Sequence, residues 1–269
     1  MLYSKARKLS GNLGTWALIL SLLSADFMLS LYICNAGGMI TAFILIAWLI
    51  CDEHEYLSGV LLGFAMVKPQ VAAIVCLVFL MMRKFKPLIV AAAIDLSAWV
   101  AVSVMTHKGM LELLRLFLFS PNRGENSFVI FRGIFTCLFE PMTAIAASML
   151  FGILFVYCLH RFLPDNMPEM FKIYPAFVAI TFWCYSTVND SYVLIVPALV
   201  CVYLMLITDK VVWFLSAIYC SYGTIIRSVI KRVMSAERNL QITVYEVGLI
   251  ILSVIICLEL RRIYSEAKS

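Results

Sequence analysis

Apolar runs about as long as a bilayer is thick, set apart by short charged or proline-bearing breaks, constrain this chain more than any other feature. They cover 15–34, 38–51, 56–82, 87–105, 141–159, 172–188, 191–207, 211–226 and 242–258. A bilayer core offers the backbone no hydrogen-bond partner, so a spanning chain must form helices or a closed barrel. These runs lack period-2 alternation, which selects helices. The expectation is an all-α, multi-pass transmembrane helical bundle of about eight to ten spans, one domain over 1–269. Composition agrees: 63% of the 269 residues are hydrophobic and 14% charged, against roughly 45–50% and 25% in soluble domains. The mean hydropathy is +0.97.

Lys5, Arg7 and Lys8 precede a first apolar run that continues to Cys34 with no small-residue cleavage pattern. That reads as a retained membrane helix, not a removed signal. The nine cysteines are scattered singly, mostly inside apolar runs, where a thiol acts as a small apolar side chain. No disulfide framework or zinc site is expected. His54, His107 and His160 are likewise far apart in sequence, and neither a metal nor a cofactor is expected. The net charge of +5 suits anionic lipid head groups, and no basic tract is long enough to suggest nucleic acid.

The run 56–82 is the unusual one. A single helix over it would reach about 40 Å, beyond the ~30 Å hydrocarbon core. Lys68-Pro69-Gln70 stands at its centre, and proline both removes a donor and clashes with the preceding turn. A broken, re-entrant helix is therefore expected over 56–82: two half-helices that pass the midplane and return. This keeps the basic segment 83–86 on the same side as a cytoplasmic N-terminus. On that topology slightly more than half of the 21 Lys and Arg lie inside, while the basic stretch 227–238 lies outside. The region 106–140 reads as an outer-face segment. Its 109–120 part suits a helix lying in the interface, followed by a turn-rich loop at 121–127 and an apolar stretch that carries Arg132.

Ionisable groups inside spans cost several kcal/mol unless they face protein or water, which makes them the functional candidates. Lys68, at a proline break where helix ends expose backbone groups, suits a phosphate, or else snorkels to the interface. Asp26 and Asp95 could carry protons, act as catalytic carboxylates, or simply cap and pair within the bundle. Asn126, Ser127 and Arg132 offer amide, hydroxyl and guanidinium donors for sugar hydroxyls or a phosphate, as a plain solvated loop also would. Asn189 and Asp190, in a short break between runs, read as turn formers or site residues.

Four segments in order carry a resemblance: NAGG at 35–38, GVLLGFAMVKPQ at 59–70 with RKFKP after the next apolar run, ENSFVIFR at 125–132, and NDSYVLIVP at 189–197. Together they resemble glycosyltransferase family 87, also catalogued as a domain of unknown function, within the multi-pass GT-C class. The likeness covers roughly 35–205. It implies transfer of a hexose such as mannose from a polyprenyl-phosphate donor to a lipid-linked or envelope glycan, at the outer face of a bacterial plasma membrane. It also implies that Lys68 matches the family's lipid-phosphate contact and Asn126, Ser127 and Arg132 its outer loop, with Gln70, Asn189 and Tyr192 as further candidate substrate- or phosphate-binding residues.

An inverting transfer needs a carboxylate base and cationic groups for the departing phosphate, without a metal if Lys or Arg takes that charge. GT-C enzymes carry the base in the first outer loop. Here that loop is 35–38, with no carboxylate, so Asp26 and Asp190 are the substitutes considered. The Lys-Pro motif also lies early in the chain compared with the family, so the first helices are expected to be missing. A shortened frame, a misplaced start or an inactive relative would account for that. The alternatives are a non-enzymatic transporter or partner subunit, and another lipid-linked glycan polymerase or ligase.

Overall fold

The computed structural model describes residue 24 and residues 36–113, 141–168, 171–182, 193–234 and 238–265. Among these there are ten helices and no strand: α1 (Gly37–Ile50), α2 (Glu55–Ala65), α3 (Pro69–Met81), α4 (Phe85–Thr106), α5 (Pro141–Phe162), α6 (Tyr174–Ala179), α7 (Ile195–Thr208), α8 (Val211–Ser221), α9 (Gly223–Met234) and α10 (Arg238–Ser265). The all-α expectation holds over the described residues.

The expected break in 56–82 is present. α2 ends at Ala65 and Pro69 opens α3 at its first turn, where its missing N–H is least costly. The two helices double back on each other. Lys84 pairs with Asp52, and Lys86 Nζ lies 2.6 Å from Glu55 Oε2, so the start of α2 and the end of α3 share one end of the fold. Lys68 sits at the other end of the hairpin, at the turn.

Small residues let α2 approach its neighbours closely. Ser58 donates to the Ala47 carbonyl on α1 at 2.7 Å. On its other side, Gly59 and Gly63 lie one turn apart against α4. A Cβ at Gly59 would come within 2.5 Å of Val90 Cβ and 2.7 Å of the Pro87 carbonyl; one at Gly63 would meet Ile94 Cβ at 3.0 Å. The pairing 59 with 90 and 63 with 94 makes α2 and α4 parallel, as small-xxx-small seams allow.

The arms of the hairpin serve different neighbours. α2 packs chiefly on α1 and α4, whereas α3 packs on α5, α4 and α6. Trp48 of α1 meets Phe79 of α3 edge-on at 5.1 Å. The centre of the structure is α7, whose buried residues run from Ile195 to Leu204 without interruption. A helix apolar on every side needs protein or lipid around it, and here α8, α6 and α10 pack around it. α6 is buried along its whole length, and the hydroxyl of its Tyr174 donates to the Ser253 carbonyl of α10 at 2.9 Å. Asn166 donates to the Tyr264 carbonyl at 2.9 Å, and Lys210 pairs with Glu259 at 3.2 Å. The turn after α5, the start of α8 and the end of α10 therefore gather at one end.

Several boundaries differ from those expected. The expected span 172–188 is helical only over Tyr174–Ala179 before turns at 180–182, with 183–190 outside the described residues. The run 211–226 is broken at Tyr222, whose backbone (φ −122, ψ 34) leaves the helical region before the poor helix former Gly223. The helix restarts as α9 and takes in most of 227–238, which was expected to be an external connection. α10 extends beyond 242–258 at both ends, because polar first and last turns hide a helix from any purely apolar criterion. Of the expected interfacial segment, the described part is a turn of helix at 110–113.

By length and composition one helix among the described residues, α4, could cross a membrane alone. Its mean hydropathy is 2.1 over 18 residues, of which 6% are buried. Shorter apolar helices accompany it.

Candidate functional site

The hairpin turn is the candidate site, and its position follows from the α2–α4 seam. Continuing that register, Ala65 lies level with residue 96 and Lys68 with residue 99. These positions are about 17–21 Å along α4 from its Phe85 start, out of ~33 Å in all. The turn is thus held near or past the middle of the longest apolar helix.

Lys68 occupies the N-cap of α3 with a non-helical backbone (φ −115, ψ 78), and its carbonyl accepts from the N–H groups of Val71 and Ala72 at 2.9 and 3.1 Å. Its side chain is half-buried, next to the largely exposed Val67. Gln70 is the second residue of α3. An ammonium at a helix N-terminus adds its charge to the positive end of the helix dipole, and both favour an anion.

Below the turn, the outer face of α3 forms one wall of an apolar groove of about 270 Å³. Ala73, Ile74, Cys76, Leu77 and Leu80 line it from α3, Leu88 from α4 and Ile153 from α5. Ala73 is about 7.5 Å along α3 from Lys68 at 1.5 Å per residue. Lys68 itself is not among the lining residues, which are all apolar except for the Cys76 thiol. Asp95 is half-buried on α4 and close enough to Cys76 to interact with it electrostatically.

The other expected site residues, Asp26, Asn126, Ser127, Arg132, Asn189, Asp190 and Tyr192, lie outside the described residues. Lys68, Gln70 and Asp95 are therefore the expected positions that can be located, and they belong to the helices around the hairpin. Among the described residues no group of three or more His, Cys, Asp or Glu side chains comes together.

Two buried charges escaped the sequence reading. Glu246 is 4% exposed on α10, and the signal for it was present: a lone acid inside the apolar run 242–258. Lys172 is buried near the end of α5, where its ammonium donates to the Asp165 carbonyl at 3.2 Å. In sequence it passes for a flanking basic residue at the start of a span. No family model, curated protein or solved structure matches the chain.

Proposed function

We propose that the chain is a multi-pass bacterial plasma-membrane protein of the GT-C kind, which moves a mannose-like hexose from a polyprenyl-phosphate donor to a lipid-linked or envelope glycan. The membrane part of this reading is supported by the exterior. α4 is apolar yet hardly buried, unlike the core helix of a soluble protein. Met39, Leu49, Ile89, Leu96, Val104 and Leu150 are further large apolar side chains left exposed on α1, α4 and α5. Soluble monomers rarely expose contiguous apolar patches above a few hundred Å². In lipid the same faces are solvated, and the α2–α3 hairpin becomes a re-entrant element whose tip reaches the bilayer interior.

The observation that carries the transferase reading is Lys68 at the N-cap of α3, the helix that further along also lines an apolar groove. The ammonium would meet the donor's phosphate and the groove a stretch of its isoprenoid tail. In the transfer itself, a carboxylate takes the acceptor hydroxyl proton while the cation stabilises the departing lipid phosphate. Asp26 and Asp190 are the proposed carboxylates. Asn126, Ser127, Arg132, Asn189 and Tyr192 would supply donors to sugar and phosphate, with Gln70 beside Lys68.

The test is hexose transfer from polyprenyl-phosphate-hexose in membranes containing the chain, with Lys68→Ala and Lys68→Arg alongside. Loss of transfer in Lys68→Ala with partial retention in Lys68→Arg is expected. Undiminished transfer in Lys68→Ala, or none from the wild-type chain, overturns the reading.

Glu246 favours a second reading, a transporter or partner subunit. A carboxylate buried in a helix of this kind is costly, and is a familiar element of proton or solute pathways. Proton or solute flux in proteoliposomes, without sugar transfer, would select it.

A further inference from the structure

α9 differs from every other described helix in its patterning. At 100° per residue, Ile225, Ile226, Val229, Ile230 and Val233 share one half of its circumference, while Thr224, Arg227, Ser228, Lys231 and Arg232 share the other. The apolar half is itself divided. Ile226 and Ile230 pack against the core, whereas Ile225, Val229 and Val233 are 50%, 53% and 77% exposed. One flank therefore rests on protein, one apolar flank is largely exposed, and the remaining side is polar and basic. No Asp or Glu occurs between positions 211 and 236.

The depth of α9 follows from α8 and α10. These run antiparallel: Lys210 pairs with Glu259, and further along the Tyr219 hydroxyl donates to the Tyr245 carbonyl at 3.0 Å. From Glu259 back to Arg238 is about 31 Å of helix, close to the thickness of a hydrocarbon core. α9 packs against α10 and ends four residues before its Arg238 start. A basic amphipathic helix at this level meets head groups on its polar side and acyl chains on its exposed apolar flank.

We infer that α9 is an in-plane interfacial helix whose basic face, at positions 227, 231 and 232, binds anionic phospholipid head groups. The inference rests on the bilayer reading above but not on the transferase. It assigns the basic stretch a partner in its own leaflet, so that the helix clamps this end of the bundle to the membrane surface. Each Lys or Arg near an anionic surface is worth about fivefold in association, and the effect weakens as salt shortens the Debye length.

The full chain in nanodiscs of equimolar phosphatidylglycerol and phosphatidylcholine tests this, with photoreactive benzoylphenylalanine replacing Val229 or, as a reference on α4, Val100. After irradiation the captured lipids are identified by mass. Capture at Val100 in the bulk ratio, with capture at Val229 enriched about fivefold or more in phosphatidylglycerol, is expected. The enrichment should fall toward the bulk ratio at high salt and when Arg227→Gln, Lys231→Gln and Arg232→Gln are combined. The bulk ratio at Val229, or no lipid there while Val100 captures lipid, overturns the inference. No lipid at either position removes the bilayer reading, and this inference with it.

Discussion

Replacing Gly59 with alanine is expected to destabilise the protein by about 1–2 kcal/mol relative to the same replacement at Gly63. The two glycines are one turn apart on α2 and face the same helix, so the gain in helix propensity on adding a methyl, up to ~1 kcal/mol, is common to both. What differs is the space. A Cβ at Gly59 would stand 2.5 Å from Val90 Cβ and 2.7 Å from the Pro87 carbonyl oxygen. Ordinary contact between carbons is about 3.5–4.0 Å, so α2 and α4 must separate by about 1 Å, and the carbonyl cannot swing away as a side-chain end could. At Gly63 the nearest atom is 3.0 Å away and the contacts are all with the Ile94 side chain, so a shift of a few tenths of an ångström suffices. Overpacking of the first kind typically costs ~1–3 kcal/mol, which exceeds the propensity gain, whereas at Gly63 the two effects come close to cancelling. The difference corresponds to roughly a 5- to 30-fold change in the unfolding equilibrium. Reversible unfolding of both variants in mixed dodecylmaltoside–SDS micelles measures it. Equal stability, or Gly59→Ala as the more stable variant, would refute the parallel, closely packed seam from which the depth of Lys68 was derived.

Three further outcomes are expected. Asp52→Cys with Lys84→Cys, in an otherwise cysteine-free chain, should cross-link efficiently through a short bis-maleimide, because the ends of the hairpin meet there; a pair that never cross-links in membranes would open the hairpin. His107 ends α4 in the left-handed region (φ 54), so His107→Gly should raise stability by about 0.5 kcal/mol. Relief of ~1 kcal/mol of strain is partly offset by the greater freedom of glycine in the unfolded chain, and a lower unfolding midpoint for this variant would contradict the geometry. Tyr174→Phe removes a buried hydrogen bond to the Ser253 carbonyl and should cost about 1 kcal/mol with transfer activity unchanged, measured by the same unfolding and transfer assays.

The chain's helical character was legible in the apolar runs, because long runs without period-2 alternation do not suit strands. The break at Lys68-Pro69 was equally legible, since proline acts through its own ring and missing N–H, whatever surrounds it. The return of α3 alongside the start of α2 was foreshadowed by the basic segment 83–86, but its partners Asp52 and Glu55 could be identified only in three dimensions. Tertiary structure alone decided which faces are enclosed. α4 and α7 are both strongly apolar in sequence, yet α4 lies almost bare while α7 is enclosed by its neighbours, because hydropathy records affinity for an apolar medium without distinguishing protein from lipid. Glu246 was legible as a lone acid in an apolar run, whereas the burial of Lys172 against the turn after α5 was visible only in three dimensions. The amphipathic restart at Gly223 was present in the 3.6-residue period of 223–234, but its place in the fold depended on the antiparallel register of α8 and α10.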